Sequence, residues 1–243
     1  MNDMNIINLE EVDSTNSYVK ANIFGLSDRT VVISEKQSCG RGRFDRKWVD
    51  FGSANLFMSI VLKPSDCFKP VYSNLTQYMS VVLCRILEDY GLEPEIKWPN
   101  DVLISGRKIA GILCETILSG SLLKGIVLGV GVNLNVDKDK LSLVKDKEIT
   151  ALNLELSREY EDKKLFTEKL LMEFFKNYDN FLHSGFPSIR DEYTKRCSFL
   201  GTKIKVKLYS DYVTGEAVNL SDTGELIVKV KGDSIALNAG DIL

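Results

Sequence analysis

The feature that most constrains the fold is a series of three strand-like segments separated by tight turns. The segments cover residues 95–104, 107–117 and 122–134, with turns at Ser105-Gly106 and Ser119-Gly120. Short, glycine-containing connections between such segments are typical of antiparallel hairpins. Two further segments, 30–34 and 55–63, have the apolar, β-branched character of buried strands. The sequence therefore predicts a sheet that is largely antiparallel.

Helical periodicity appears in two long segments outside these strands. Apolar residues recur at helical spacing in 72–90 and again in 163–183. Gly91 follows the first of these segments, where a helix often ends on a glycine in the left-handed conformation. Together with the strands, these helices predict an α+β fold in which helices flank a central mixed sheet. The charged stretch 137–148 is predicted to be a loop.

The character of the sequence changes near residue 200. Ile204, Val206 and Leu208 alternate with polar residues, and short strand-like segments with tight turns follow them. Such a pattern is typical of a small β-barrel. We therefore predict two domains, residues 1–196 and residues 197–243.

Composition excludes several classes of protein. The five cysteines are scattered without a C-x-x-C pair, so neither a disulfide framework nor a zinc site is predicted. Chemistry that depends on histidine is disfavoured because His183 is the sole histidine of the chain. No long apolar run and no signal-like N-terminus is present, so a cytoplasmic protein that does not enter the membrane is expected.

A basic loop is the first candidate for function. Residues 39–48 read C-G-R-G-R-F-D-R-K-W, although the whole chain has a net charge of −3. Arginine forks match carboxylate and phosphate oxygens, and the glycines allow close approach of the backbone. The loop could thus cover a triphosphate. It could also be a solvated surface loop, or an RNA-binding loop in which Phe44 and Trp48 stack on bases.

Three other segments carry polar or glycine residues at notable positions. In E-I-K-W-P-N-D-V-L (95–103), Lys97 lies at a strand end, where it could stabilise negative charge or simply guard a sheet edge. In the strand at 125–135, Gly129, Gly131 and Asn133 share one face, which suits either a flat ligand or close packing. The S-T-N segment at 14–16 opens a helix and could bind a ligand or cap the helix.

Taken in order, these motifs resemble the biotin protein ligase family over nearly the whole chain. The matching segments are D-S-T-N (13–16), Q-S-C-G-R-G-R-F-D-R-K-W (37–48), A-N-L-F-M-S (54–59), K-W-P-N-D (97–101), G-R-K-I-A-G-I-L-C-E (106–115) and G-V-G-V-N-L-N (129–135). The resemblance implies a catalytic core like that of class II aminoacyl-tRNA synthetases, followed by an SH3-like barrel. It also implies an ATP-dependent biotin--[carboxyl carrier protein] ligase. Such an enzyme uses ATP with Mg²⁺ to convert biotin to biotinyl-5′-AMP and then biotinylates a lysine of a biotin carboxyl carrier protein.

The resemblance also implies roles for individual residues. The residues implied to bind biotin are Ser14, Thr15, Asn16, Gln37, Gly40, Arg41, Gly42, Arg43, Lys97, Gly111, Gly129 and Gly131. The residues implied to bind ATP are Arg41, Arg43, Arg46, Trp48, Lys97, Asn100 and Asn133. Lys97 and Arg43 are the implied catalytic residues, and no metal ligand of the protein is implied.

Two departures from the family pattern lead to expectations of their own. Many members have a glycine where this chain has Asp45. An acid among arginines can pair with one of them, so we expect slower formation or faster leakage of the adenylate, and Asp45→Gly should change one of those rates.

Some members carry an N-terminal helix-turn-helix of roughly 60 residues. Here S-T-N begins at residue 14, so the form without that domain and without specific DNA binding is expected.

Other functions remain open at this point. A lipoate or octanoate ligase would share the fold and the use of the lysine, although the loop and the K-W-P-N-D segment favour biotin. An RNA-binding module and a biotin sensor without ligase activity are the remaining alternatives. The family that the chain resembles includes monomers and homodimers, so a homodimer is possible.

Overall fold

The structure, a computed structural model, describes residues 5–44, 46–65, 67–142, 144, 148–160, 162–209 and 211–243. Within these ranges the strands are β1 (Ile6–Val12), β2 (Val31–Gln37), β3 (Leu56–Leu62), β4 (Pro94–Lys97), β5 (Asp101–Ile104), β6 (Arg107–Ser119), β7 (Leu122–Val132), β8 (Lys203–Lys207), β9 (Tyr212–Leu220), β10 (Leu226–Val230), β11 (Asp233–Leu237) and β12 (Asp241–Ile242). The α-helices are α1 (Thr15–Asn22), α2 (Leu75–Glu88), α3 (Lys138–Ser142), α4 (Leu152–Glu155), α5 (Lys163–Ser184) and α6 (Arg190–Lys195). The chain forms two compact units, one of residues 1–69 and 107–168 and one of residues 70–106 and 169–243.

The first unit contains a mixed sheet in the order β1-β2-β3-β7-β6. β1 runs parallel to β2, and the remaining neighbours in this order are antiparallel. The predicted α+β class with a mixed, largely antiparallel sheet is confirmed. β1 was not predicted; three residues of its sequence I-I-N-L-E-E-V are polar, and none of its residues is fully buried.

A helix packs against one face of this sheet. β3 is buried along its whole length, as expected for a strand covered on both faces. On one face, Val19 and Ile23 of α1 form an apolar cluster with Val32, Val61 and Val127 of the strands. This packing fixes α1 against the sheet and therefore positions the polar residues at its N-terminus. The predicted loop at 137–148 is wrong in part, since it contains α3.

The second unit contains the β4–β5 hairpin and the C-terminal strands. The C-terminal strands form an antiparallel sheet in the order β11-β10-β9-β8-β12. Ile204 and Val206 of β8 are buried, as the alternating pattern predicted. This sheet agrees with the predicted SH3-like module. The predicted domain boundary at 196/197 falls between α6 and β8 and stays a prediction.

The helices of the second unit bury a cluster of aromatic rings. Tyr78 of α2 stacks on Phe181 of α5 with 4.4 Å between ring centroids. Its hydroxyl donates to the carbonyl of Phe174. Gly91 follows α2 with φ of 77°, which confirms its predicted place at the end of the helix. None of the helices in the described part of the chain is long and apolar enough to cross a membrane.

One turn of the C-terminal sheet is held by residues far away in sequence. The carbonyl of Gly224 accepts hydrogen bonds from Trp98 Nε1 at 3.1 Å and from Gln77 Nε2 at 2.8 Å. The carbonyl of Thr223 accepts one from Asn74 Nδ2 at 2.9 Å. Gly224 has φ of 79°, and a Cβ there would lie 2.6 Å from Asn74 Nδ2. This turn and the β4–β5 hairpin are thus joined inside the second unit.

An ion network ties α2 to α5 and α6, and we predict its contribution to depend on pH. Arg85 donates to Glu192 Oε2 at 2.9 Å and to Glu173 Oε1 at 2.8 Å. Its hydrogen bonds lower the pKa of the Glu192 carboxyl. A carboxyl whose pKa is lowered by folding stabilises the fold above its unfolded pKa, about 4.3, and that contribution is lost as the pH falls through the folded pKa.

Replacing Arg85 by methionine is therefore expected to lower the free energy of unfolding by about 1 kcal/mol at neutral pH, since the pair is partly exposed. The difference from the wild type should shrink as the pH falls below about 4. Urea unfolding at several pH values measures both quantities. Lys164→Met is the control, because Lys164 is 88% exposed and lies 3.9 Å from its partner Glu168. A difference that stays constant over the pH range would contradict the expectation.

Candidate active site

The N-terminus of α1 is built around a buried polar network. The backbone N–H of Thr15 donates to Gln37 Oε1 at 2.8 Å, and its hydroxyl donates to the same oxygen at 3.2 Å. Ser59 of β3 donates to Asn16 Oδ1 at 2.6 Å, and its Oγ lies 2.7 Å from Thr15 Oγ1. The S-T-N segment could cap the helix, but the side chain of Ser14 makes no capping hydrogen bond. Gln37, at the end of β2, supplies the acceptor for the N–H of Thr15, and Ser59 holds Thr15 and Asn16 against the sheet.

Asn16 lies on the glycine face of β7. A Cβ on Gly129 would lie 2.2 Å from Asn16 Oδ1, a distance that no side chain allows. Asn16 Nδ2 donates to the carbonyl of Leu113 at 3.2 Å and to Glu115 Oε2 at 3.0 Å. The predicted shared face of Gly129 and Gly131 therefore exists. At Gly129, the missing side chain allows Asn16 of α1 to approach the strand closely.

Glu115 of β6 brings the helix start and the basic loop together. Its carboxylate accepts from Lys20 Nζ at 2.8 Å and from Asn16, and Arg41 Nη1 lies 3.1 Å from Oε1. Partial burial alone would raise the pKa of this carboxyl. The hydrogen bonds from Lys20 and Asn16 and the charge of Arg41 outweigh burial and lower the pKa. Glu115 is therefore ionised at neutral pH. Its role was not predicted from the sequence.

The basic loop forms a narrow hairpin. The backbone N–H of Gly42 donates to the carbonyl of Arg46 at 2.7 Å, and that of Trp48 donates to the carbonyl of Gly40 at 2.9 Å. Arg41 and Lys47 form a β-bridge between the two arms. A Cβ on Gly40 would lie 2.9 Å from the carbonyl oxygen of Trp48, so glycine is needed for the arms to approach. Asp45 lies outside the described residues.

Trp48 covers the part of the glycine face that Asn16 leaves open. Its ring atoms would lie 2.6 Å from a Cβ on Gly131 and 2.7 Å from one on Gly111. Lys108 Nζ lies 5.2 Å from the ring centroid. Trp48 Nε1 is buried and has no hydrogen-bond partner in the described part of the chain. The indole thus lies flat on the predicted pocket floor and keeps one polar atom available.

The remaining predicted residues of the first unit lie in or near the hairpin and β7. The guanidinium of Arg43 lies 4.9 Å from the centroid of the Phe44 ring, and Arg46 is exposed. Asn133 follows β7 and is buried, with Nδ2 donating to the carbonyl of Thr150 at 3.0 Å. These positions place two arginines on the hairpin and an amide at the end of the glycine strand.

Lys97 and Asn100 lie in the second unit. Lys97 is the last residue of β4, pairs with Asp101 of β5 and is partly buried. Trp98 and Asn100 are buried, and the peptide bond between Trp98 and Pro99 is cis. Lys97 is therefore held at a strand end beside a buried indole, as predicted.

These features define a class of protein. A glycine-lined sheet face, a polar helix start and a hairpin of arginines are suited to a small acid and to phosphate groups. The chain belongs to the Biotin/lipoate A/B protein ligase family, whose model matches residues 9–133, just over half of the chain.

Individual relatives support this assignment. The chain is 28% identical over 214 residues to the bifunctional ligase/repressor BirA of Bacillus spizizenii, covering 88% of this chain and 65% of that protein. It is 29% identical over 223 residues to the biotin--[acetyl-CoA-carboxylase] ligase of Mycobacterium tuberculosis, covering 89% of this chain and 79% of that protein. The structure of the biotin protein ligase from Aquifex aeolicus in complex with biotin and ATP superposes with a TM-score of 0.79 at 27% identity, covering 98% and 97% of the two chains. The chain thus spans about two thirds of the length of the Bacillus relative.

Proposed function

We propose that the chain is a biotin protein ligase that uses ATP to attach biotin to a lysine of a biotin carboxyl carrier protein. The observation that carries the proposal is the arrangement on one sheet face of the first unit. There the polar start of α1, the arginine hairpin and the glycine strand are linked through Asn16, Glu115 and Trp48. A small acid and a nucleotide can be held together by such an arrangement.

The first step joins two anions. A carboxylate oxygen of biotin attacks the α-phosphorus of ATP, the bond to the bridging oxygen of the β-phosphate breaks, and pyrophosphate leaves. The product is biotinyl-5′-AMP, a mixed anhydride. Bringing a carboxylate to a triphosphate requires cations, which Arg41, Arg43 and Arg46 offer on the hairpin. By its place in K-W-P-N-D, we assign Lys97 to the charge that develops on the α-phosphate and the carboxylate.

The second step transfers the acyl group. The amine of the carrier lysine attacks the carbonyl carbon of the anhydride, an amide bond forms, AMP leaves and the nitrogen releases a proton. Until then the anhydride must be kept from water, which a covering segment achieves. We assign the hairpin with Trp48 to cover the adenylate after the indole has moved off Gly111 and Gly131, which it contacts in this structure.

Mg²⁺ belongs to the nucleotide in this proposal. The described residues contain no group of three or more His, Cys, Asp or Glu side chains that could hold a metal ion. Mg²⁺ prefers oxygen ligands and commonly enters such reactions on the phosphates of its substrate. ATP would therefore be used as its magnesium complex.

The remaining residues are assigned to the two substrates. Ser14, Thr15, Asn16 and Gln37, with the backbone at Gly40 and Gly42, are assigned to biotin, and Asn100 and Asn133 to the nucleotide. Support for biotin over lipoate comes from the names of the relatives, which are biotin ligases. A cytoplasmic location, homodimer formation and the lack of specific DNA binding stay predictions.

Pyrophosphate exchange into ATP tests the proposal. The purified protein is incubated with labelled pyrophosphate and ATP, together with biotin, lipoate or no acid. Exchange that requires biotin is expected. Exchange that requires lipoate would identify the lipoate ligase alternative, and the absence of exchange with either acid would refute the ligase assignment.

A further inference from the structure

Glu115 places a carboxylate at a site that is proposed to bind two anions. Glu115 lies on the glycine face of the sheet, since it pairs with Val127, two residues before Gly129 in β7. Its negative charge would repel both a carboxylate and a phosphate if it faced them without partners. Its side chain is 16% exposed and meets three donors of this chain. The carboxylate is therefore turned toward the protein.

The three donors belong to two different parts of the site. Lys20 and Asn16 come from α1, on successive turns of the helix, and Arg41 comes from one arm of the hairpin. Both amide hydrogens of Asn16 are engaged, because Nδ2 donates to Leu113 and Glu115, whereas Oδ1 accepts from Ser59 and keeps a second lone pair for a ligand. Among these contacts, those of Glu115 connect α1 to the hairpin arm through side chains. The backbone N–H of Cys39 also donates to the carbonyl of Asp13 at 2.8 Å, so Glu115 adds the position of the Arg41 side chain relative to α1.

We propose that Glu115 is a positioning residue for biotin binding, acting through Asn16 and Arg41. This inference rests on the proposed function. Glu115 fixes the orientation of the Asn16 amide and holds the Arg41 side chain against the sheet beside α1. Loss of the negative charge releases Arg41 and leaves Asn16 with one weaker acceptor.

Glu115→Gln tests the inference in the full chain. The amide keeps the size of the carboxyl and can still accept from Asn16, but it loses the charge that holds Arg41 and Lys20. In biotin-dependent pyrophosphate exchange, the KM for biotin is expected to rise about 10- to 100-fold, the scale for hydrogen bonds to charged groups. The KM for ATP is expected to rise less than the KM for biotin, because Arg41 is assigned to both substrates whereas Asn16 is assigned to biotin alone.

Two control variants separate positioning from stability. Glu35→Gln removes another carboxylate of the first unit, which pairs with Lys163 at 2.7 Å and is 50% exposed. Lys20→Met removes one partner of Glu115 and leaves Arg41 and Asn16 in place. Both variants are expected to keep the KM for biotin within about twofold of the wild type. A rise in Lys20→Met equal to that of Glu115→Gln would overturn the inference, since the helix pair alone would then explain it.

A double-mutant cycle tests whether Glu115 acts through Arg41. If it does, Glu115→Gln should add less than about threefold to the KM for biotin once Arg41 is replaced by glutamine. Full additivity, or a KM for biotin in Glu115→Gln within about twofold of the wild type, would overturn the inference alone. Wild-type protein without biotin-dependent exchange would refute the proposed function, and the inference with it.

Discussion

Replacing Lys97 by alanine is expected to lower the rate of biotin-dependent pyrophosphate exchange by about 100- to 1000-fold, the range seen when a donor that stabilises transition-state charge is removed. Lys97 ends β4 and is partly buried, so the strand fixes the backbone from which its side chain extends. The attack of one anion on another gains most from a cation that is already in position, because no reorganisation is then needed during the reaction.

The matched control is Lys203→Ala, which removes an exposed lysine at the start of β8 in the same unit. It should leave the exchange rate within about twofold, as surface charges contribute little. Urea unfolding of both variants shows whether the fold is kept. A loss of less than about threefold in Lys97→Ala, with an intact fold, would remove Lys97 from the chemistry.

Gly129→Ala should damage both the fold and the site. The new methyl group would lie 2.2 Å from Asn16 Oδ1. Asn16 cannot turn away cheaply, because Ser59, Leu113 and Glu115 hold its amide. We expect the free energy of unfolding to fall by about 1–3 kcal/mol, the usual cost of overpacking. The KM for biotin should rise at least about tenfold, since α1 must shift to make room.

Gly125→Ala is the control on the same strand and the same face. There the methyl group would lie 2.8 Å from Ile23 Cδ1, the flexible end of an apolar side chain. A rotamer change of Ile23 can relieve this contact at a cost of about 1 kcal/mol. Urea unfolding and titration with biotin compare the two variants. Equal effects on biotin binding would contradict the special role of the Asn16–Gly129 contact.

Part of the fold follows from local patterns in the sequence. The turn at Ser119-Gly120 predicted the β6–β7 hairpin, and the left-handed conformation of Gly91 agrees with its predicted place after α2. The segment 95–104, predicted as one strand-like piece, is instead the β4–β5 hairpin with a turn after Lys97. The two-residue period of Gly129 and Gly131 predicted their shared face. These features depend on the conformational preferences of a few neighbouring residues.

The role of Glu115 could not be predicted, because it depends on a β-bulge. The turn pairs Ser119 with Leu122, and a regular hairpin would continue to Glu115 opposite Ile126. The register shifts between Ile117 and Leu118, so Glu115 instead pairs with Val127. A one-residue shift moves a side chain to the other face of a sheet. Without the bulge, the carboxylate would face away from Asn16 and Arg41.

Other parts of the site depend on contacts between distant segments. Gln37 supplies an acceptor for the N–H of Thr15 at the start of α1, whereas Ser14, one of the residues that could cap the helix, makes no capping hydrogen bond. Trp48 lies on Gly111 and Gly131, although nothing in the local sequence of the loop indicates where its indole points. Such contacts are decided by how the segments pack, and local propensity carries no information about them.

The hydrogen bond from Trp98 to Gly224 has a consequence for the design of chimeric proteins. It joins positions that are 126 residues apart in the chain, one next to Lys97 and one in a turn of the C-terminal sheet. A chimera that takes its C-terminal strands from a relative therefore also replaces the carbonyl that accepts the hydrogen bond of Trp98. Grafts that keep a glycine at position 224, and with it the backbone that meets Trp98, Gln77 and Asn74, are the ones that preserve the strand end carrying the lysine.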